Sequence, residues 1–160
     1  MKFSSPCPHT PQFKLTHKTH IMTDTPALSR PAEDLTLVLK VIPMPSDCNA
    51  YGDIFGGWVM AQVDLAGWVL PAQIVQGRLA TVAVNEFVFK EAVRVGDILS
   101  FYAKIKRIGN TSITVYVEVY SEHIHANESL RKVTEATLTY VALDANGRPK
   151  PVEHKLKEGA

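Results

Sequence analysis

The sequence is poor in the features that mark several large classes of protein. It has only two cysteines, Cys7 and Cys48, which make neither a disulfide framework nor a zinc motif and which suit a reducing cytosol. Its 17 Lys and Arg are balanced by 16 Asp and Glu, so there is no overall basic field to attract nucleic acid. The most apolar stretch, 55–75, is interrupted by polar residues and a proline, so it does not predict a membrane span. We expect a cytoplasmic protein without nucleic-acid or membrane partners.

Composition predicts three regions in a chain of single-domain length. Residues 1–33 are rich in Pro, Thr, Ser and His without any period, and they predict a disordered arm with no secretory signal. Residues 34–146 should form the folded domain. Residues 147–160 are rich in Pro and Lys and should form a loose tail.

The folded part combines one helical pattern with several strand patterns. Ile54 to Leu70 is apolar nearly all round, which predicts a helix buried inside the domain, and Pro71 should kink or end it. Alternating apolar residues predict strands, which lie at 35–42, 80–90, 99–105, 113–119 and 133–143. The alternation changes phase at Asn85-Glu86, which predicts a bulge. This order predicts an α+β hotdog fold, in which a five- or six-stranded antiparallel sheet wraps one central helix.

Asp64 is the most informative residue because it is a carboxylate within the apolar helix. Burying it without a partner would cost several kcal/mol. It could be bonded to a neighbouring backbone group or an Arg, or it could serve as a general base or a nucleophile. Gly56-Gly57, at the start of the helix, could allow close packing or offer N–H groups to an oxyanion. Gly57 and Asp64 are separated by roughly 10 Å along the helix axis, so a site shared between two subunits is favoured.

The segment that leads into the helix carries a specific resemblance. Met44 to Trp58 reads MPSDCNAYGDIFGGW, and Met60, Gln62 and Asp64 follow. This pattern resembles the signature of the YciA-type acyl-CoA thioesterases, which are hotdog acyl-CoA hydrolases. The likeness spans about 35–151 and includes four further short segments, Val95-Gly96-Asp97, Thr111-Ser112, Thr134-Glu135-Ala136 and Tyr140-Val141-Ala142.

The resemblance implies roles for particular residues. Asp64 would be the catalytic carboxylate, Asn49 would come from the facing subunit, and the Gly57 N–H would face the thioester oxygen. The family needs no metal or separate cofactor, since coenzyme A is part of the substrate, and its dimers usually group into hexamers as trimers of dimers. The remaining residues expected to contact the substrate are Gly56, Asn85, Phe87, Thr111 and Ser112, with Arg107, Arg131 and Lys132 near the coenzyme A phosphates. Trp68 and Pro71 depart from the family pattern, which leaves the acyl-chain preference open.

Other readings remain beside this one. Lys104, Lys106 and Arg107 could form a phosphate patch or only a solvated face. His123 and His125 share a strand face, but the lack of a third ligand favours exposed strand histidines over a metal site. The rival functions are a non-catalytic acyl-CoA-binding sensor, which would normally carry a further domain, and a hotdog 3-hydroxyacyl thioester dehydratase. The helix contains no His, which disfavours dehydration.

Overall fold

The structure is a computed structural model that describes residues 31–123 and 130–153. Residues 1–30 of the predicted arm, His125 and residues 154–160 of the predicted tail lie outside this part. Among the described residues, no helix is both long enough and apolar enough to cross a membrane. The elements, in chain order, are β1 (Thr36–Val41), a short 3-10 helix (Pro45–Asp47), α1 (Gly56–Ile74), β2 (Arg78–Phe89), β3 (Asp97–Ile108), β4 (Ser112–His123) and β5 (Arg131–Leu143).

The five strands form one antiparallel sheet, and α1 packs against it. The strand order is β1-β3-β4-β5-β2, so β1 and β2 are the two edges of the sheet. Alternate side chains of the central strands face α1 and are buried, as their period of two requires. The helix contributes Val59, Val63 and Ala66 to this core. Burying each such aliphatic side chain larger than alanine contributes about 1.5–3 kcal/mol. The predicted α+β plan is confirmed, with five strands.

The helix does not end at Pro71, as the sequence suggested it could. It continues to Ile74, and the Val75 N–H closes it by donating to the Pro71 carbonyl at 2.9 Å. Pro71 and Val75 are both buried, and Ile74 packs against the core. This packing outweighs the one hydrogen bond that the proline cannot donate.

The prediction of a helix buried all round is wrong for a single chain. The helix has one face in the core, while its other face carries large apolar side chains that are open to solvent. Leu65 is 59% exposed and Trp68 is 47% exposed, and Met60 is exposed as well. A contiguous apolar face of this kind marks a contact surface rather than a solvated one.

The predicted bulge in β2 is confirmed by the strand register. The pairing of β2 with β5 shifts between Asn85 and Val88, and Glu86 adopts a φ of 52°, so a bulge lies where the alternation changes phase. The Gly109-Asn110 turn joins β3 to β4, and the Gly109 N–H donates to the Ser112 carbonyl at 2.7 Å.

The described part of the predicted loose tail is attached to the domain. The Lys150 N–H donates to the Ala142 carbonyl at 2.9 Å, and the Val152 N–H donates to the Asn110 carbonyl at 2.7 Å. Val152 also packs against the core. Residues 148–153 therefore run along the end of the sheet.

Candidate active site

Asp64 lies in the middle of α1, half-buried, and it faces two strands of the sheet. The Thr81 hydroxyl on β2 donates to Asp64 Oδ1 at 2.7 Å. The Tyr140 hydroxyl on β5 donates to the main-chain carbonyl of Asp64 at 2.9 Å and lies 3.4 Å from Oδ1. No Arg or Lys among the described residues forms an ion pair with this carboxylate. Two hydroxyl groups, rather than a counter-charge, therefore surround it on the sheet side.

Gly67 makes room for the Tyr140 hydroxyl. A side-chain carbon at this position would overlap the hydroxyl oxygen, so only glycine allows the tyrosine to approach the helix backbone here. Tyr140 is buried, and this burial together with the negative charge of Asp64 raises the pKa of its hydroxyl well above the usual range. The hydroxyl is therefore protonated at neutral pH and acts as a donor.

The two glycines that begin α1 have different surroundings. A side-chain carbon at Gly56 would lie 3.1 Å from the Phe89 ring, so this glycine is required for packing. At Gly57 the same carbon would meet nothing within 4 Å, and the residue is exposed. Its N–H belongs to the first helical turn, which has no acceptor within the helix. Gly57 therefore offers a free donor at the positive end of the helix dipole.

Asn49 organises the loop before α1. Its Oδ1 accepts from the Tyr51 N–H at 2.8 Å and from the Asp53 N–H at 3.2 Å, and its own N–H donates to the Asp53 carbonyl at 2.7 Å. The oxygen of the side-chain amide is thus occupied, and the amide nitrogen is the end that remains for a neighbour. No hydrogen bond joins Asn49 to Asp64 within the chain.

A shallow cavity of about 280 Å³ lies beside the helix start. Gly56 and Val59 form one wall, and residues 89–93 together with Asp53 and Ile54 form the other. Phe87 is half-buried, and its ring packs on that of Phe89 at 4.8 Å between centroids. Asn85 is exposed at the bulge of β2. The bulge thus places Asn85 and Phe87 on the strand that leads to this cavity.

Thr111 lies in the turn between β3 and β4, and Ser112 begins β4. The Thr111 carbonyl accepts from the Ala142 N–H at 2.9 Å, and the Ser112 carbonyl accepts from the Gly109 N–H. Their main-chain groups therefore hold the end of the sheet, while their side chains are half-buried.

The three basic candidates differ in their partners. Lys132 Nζ lies 2.5 Å from Glu118 Oε1 and 2.6 Å from Glu135 Oε2. Burial lowers the pKa of Lys132, but the hydrogen bonds to these two carboxylates outweigh it and hold the pKa above the usual range. Arg131 Nη1 donates to Glu91 Oε2 at 2.8 Å, and Nη2 lies 3.6 Å from the buried Asp97. Both side chains are thus engaged with acids inside the chain.

Arg107 alone of the three is exposed and forms no ion pair with a described residue. It pairs with Thr114 across the sheet. Thr114 lies between the core residues Ile113 and Val115, so it points away from α1, and Arg107 shares that outer face. Within one chain, Arg107 and Asp64 therefore lie on opposite sides of the sheet.

His123 is tied to an acid and not to a metal cluster. Its Nδ1 lies 2.8 Å from Asp97 Oδ1, and the same carboxylate accepts from the Ser121 hydroxyl at 2.8 Å. Within the ranges 31–123 and 130–153, no group of three His, Cys, Asp or Glu could hold a metal ion.

The sequence did not single out the two residues that contact Asp64. Thr81 is an inconspicuous polar residue of β2, and in the sequence Tyr140 stands out only as part of a segment that resembles the family. Tyr140 falls on the apolar parity of β5, which faces the helix. In β2 the apolar residues Val82 and Val84 fall on the other parity and are exposed, so alternation alone would place Thr81 on the outer face. Thr81 is recognised as facing the helix only when β2 and β5 are known to pair, with Thr81 directly opposite Tyr140.

Comparison with known proteins identifies the family of the chain. The sequence model of the thioesterase superfamily matches residues 51–126. The acyl-CoA thioester hydrolase YciA of Salmonella typhimurium is 44% identical over 119 residues, which cover 72% of this chain and 89% of the relative. The hexameric thioesterase y2039 from Yersinia pestis superposes with a TM-score of 0.70 at 41% identity, over 78% of this chain and 98% of that one.

A second similar structure is described as having a hotdog fold. The hexameric hotdog fold thioesterase Cj0915 of Campylobacter jejuni superposes with a TM-score of 0.69 at 41% identity, over 73% of this chain and 90% of that one. The predicted hotdog fold and the predicted family are both confirmed. With its helix, its five-stranded sheet and nearly the full length of these relatives, the chain belongs to the YciA family of acyl-CoA thioester hydrolases.

Proposed function

We propose that this protein hydrolyses acyl-CoA to a free acid and coenzyme A, with Asp64 activating the attacking water. The observation that carries the proposal is the Asp64 carboxylate itself, which lies in an apolar helix without an ion-pair partner among the described residues. Its Oδ1 is held by Thr81 at 2.7 Å. In a chain 44% identical to an acyl-CoA thioester hydrolase, this is the group best suited to accept a proton.

The proposed reaction uses only groups of the protein and a water molecule. Asp64 takes a proton from the water as its oxygen attacks the thioester carbon. The Gly57 N–H and the helix dipole stabilise the oxyanion, and one such donor is worth about 10²–10³ in turnover. Collapse of the tetrahedral intermediate breaks the carbon–sulfur bond, and the proton held by Asp64 passes to the departing thiolate. The products are a carboxylic acid and the free thiol of coenzyme A, and no metal or further cofactor takes part.

The site is proposed to form between two subunits. Gly57 and Asp64 lie on one helix roughly 10 Å apart, too far for one thioester carbon to meet both. The exposed apolar face of α1 and the open edge of β2, where Val82, Val84 and Val88 are exposed, offer a surface for a second copy. That copy would bring its Gly57 N–H and its Asn49 amide nitrogen to the Asp64 of its neighbour. Because two solved relatives are hexameric, we propose dimers assembled as a trimer of dimers.

We also propose a cytoplasmic location, which rests on the cysteine content. Cys48 has a free thiol, and the sequence has one other cysteine. A protein with so few cysteines gains nothing from an oxidising compartment.

The function is tested by a hydrolysis screen of acyl-CoAs from short to long chains, in which release of free thiol is read. We expect release with at least one chain length. Tight binding of every acyl-CoA without release would contradict the proposal and favour a sensor. Elimination of water from a 3-hydroxyacyl thioester, without thiol release, would favour a dehydratase.

The shared site predicts complementation between two inactive variants. Asn49→Ala and Asp64→Asn should each be nearly inactive alone, while mixed dimers should regain about half of the wild-type rate, since one of the two sites in a mixed dimer is intact. Differently tagged chains are co-expressed, the hybrids are isolated through both tags, and thiol release is measured. Hybrids that form and stay inactive would contradict the shared site.

Arg107 is the proposed contact for the phosphates of coenzyme A, reached from a neighbouring subunit because it lies on the outer face of the sheet. Replacing Arg107 with Ala should raise KM several-fold for acyl-CoA and leave KM for a short pantetheine thioester unchanged, since the latter lacks the nucleotide. Exposed phosphate contacts are screened over about 10 Å at 0.1 M salt, so raising the ionic strength should mimic the variant.

The control for this experiment is Arg148→Ala, which removes another exposed arginine. It should change neither KM. If Arg107→Ala raises the KM values of both substrates equally, or of neither, Arg107 is part of a solvated surface.

A further inference from the structure

The two oxygens of the Asp64 carboxylate have different surroundings. Oδ1 accepts a hydrogen bond from the Thr81 hydroxyl at 2.7 Å and lies 3.4 Å from the Tyr140 hydroxyl. Oδ2 has no hydrogen-bond partner among residues 31–123 and 130–153. The carboxylate is thus held on its sheet side by one oxygen and open at the other.

Thr81 and Tyr140 form one rigid unit. They are directly opposite each other in the β2–β5 ladder, so the sheet sets the distance between them. Tyr140 has a single hydroxyl proton, and it donates this proton to the main-chain carbonyl of Asp64 at 2.9 Å. The tyrosine thereby contacts both the backbone and the side chain of the same residue.

We propose that Tyr140 is a positioning residue that, together with Thr81, holds the Asp64 carboxylate so that Oδ2 takes the proton of the attacking water. The inference rests on the function proposed above, and it adds which oxygen reacts and what orients it. A carboxylate free to turn would present either oxygen and would spend part of its time in unproductive orientations. Occupying Oδ1 on the sheet side removes that freedom before the substrate arrives.

The fit at Gly67 supports an orienting contact. The Tyr140 hydroxyl fills the space that any side chain at residue 67 would need, so the helix accommodates the hydroxyl at that point. The Tyr140 hydroxyl fixes the main-chain carbonyl of Asp64 at 2.9 Å, and the Thr81 hydroxyl fixes Oδ1 at 2.7 Å. Together the two bonds hold both the backbone and the carboxylate of Asp64, as a positioning role requires.

The test removes the Tyr140 hydroxyl and measures whether the resulting loss of activity depends on the presence of Asp64. Tyr140→Phe keeps the ring and should lower kcat about tenfold, the weight of one hydrogen bond, with little change in KM. In an Asp64→Asn background, the same change should cause no further loss, because there is no longer a general base to orient. Rates are measured by thiol release at high enzyme concentration, and the urea midpoint is measured for each variant.

Two controls accompany this cycle. Tyr102→Phe removes a tyrosine hydroxyl on the sheet face away from α1 and should leave kcat unchanged. Thr81→Ser keeps the hydroxyl that contacts Oδ1 and should retain most of the activity, whereas Thr81→Val should lower kcat as Tyr140→Phe does. If Tyr140→Phe does not fold, Thr81→Ser and Thr81→Val are compared instead, each with and without the Asp64→Asn substitution.

The outcomes separate this inference from the proposed function. A normal kcat for Tyr140→Phe overturns the inference, and so does an equal fractional loss with and without Asp64. If Tyr140→Phe does not fold, the inference is overturned by a normal kcat for Thr81→Val, or by an equal fractional loss of kcat from Thr81→Val with and without Asp64. Either result, combined with an inactive Asp64→Asn enzyme, leaves the proposed function standing. An active Asp64→Asn enzyme would instead remove the base on which both depend.

Discussion

Replacing Asp64 with Asn should lower turnover by about 10²–10⁴, the usual weight of a positioned acid–base group, and leave the fold and the subunit assembly unchanged. Asn has nearly the same shape, and its amide oxygen can still accept from the Thr81 hydroxyl, so the surroundings of residue 64 are preserved. What the amide cannot do is take a proton from water. Release of coenzyme A thiol gives the rate, and size-exclusion chromatography with circular dichroism shows that the assembly is intact.

The matched control is Asp34→Asn. Asp34 is an exposed carboxylate paired with Lys104 at 2.7 Å, and it lies far along the chain from the helix. The substitution makes the same chemical change and should leave turnover unchanged. Near-normal hydrolysis by a well-folded Asp64→Asn protein would exclude Asp64 from the reaction.

Replacing Lys132 with Met should destabilise the protein by about 2 kcal/mol at neutral pH, less than the cost of breaking a fully buried ion pair because the Lys132 side chain is 21% exposed. Lys132 lies between Glu118 and Glu135, at 2.5 and 2.6 Å from one oxygen of each. Without the cation, two carboxylates remain on neighbouring strands, one of them buried. The free energy of unfolding in urea at pH 7 measures the loss, and Lys104→Met, which breaks the exposed pair with Asp34, should leave it almost unchanged.

The same substitution should change the response to acid. The hydrogen bond from Lys132, with a smaller contribution from Lys90, lowers the pKa of Glu135 from 4.5 to about 2. Because the folded-state pKa lies below the unfolded-state value, this carboxylate stabilises the fold above about pH 4.5, and its contribution is lost as the pH falls toward 2. The wild type should therefore lose stability across this window, and Lys132→Met should lose much less. Parallel stability curves for the two proteins would contradict the assignment.

The parts of the fold that follow from local periodicity were predictable. Strands β3, β4 and β5 keep a period of two over most of their length, and a bulge shows in the sequence as a change of phase at Asn85-Glu86. The end of the helix was not predictable, since whether a chain continues past Pro71 depends on what Ile74 and Val75 pack against. The exposure of Trp68 was not predictable either, because the sequence does not distinguish an apolar residue that faces the core of its own chain from one that faces another surface.

Residues of the candidate site were predictable where their type is unusual for the sequence around them. Asp64 is conspicuous in an apolar helix, and so are two adjacent glycines at its start. Thr81 is an ordinary strand residue whose importance comes only from lying across from Tyr140 and beneath the helix. Similarly, Lys132 stands out in the sequence only as a basic residue near a segment that resembles the family, while the acids that surround it on β4 and β5 are brought there by the register of the sheet.

The position of β2 at the far edge of the sheet also bears on how the chain acquires its structure during synthesis. Among the described strands β2 pairs only with β5, and Thr81 and Tyr140, which face each other, are roughly 60 residues apart in the sequence. At translation rates of about 5–20 residues per second, α1 and β2 emerge some 3–12 seconds before their partner strand exists. Through that interval the apolar side chains of β2 have no ladder to join. The nascent chain is therefore open to chaperones and prone to misassembly over α1 and β2, the segment that includes the proposed catalytic carboxylate.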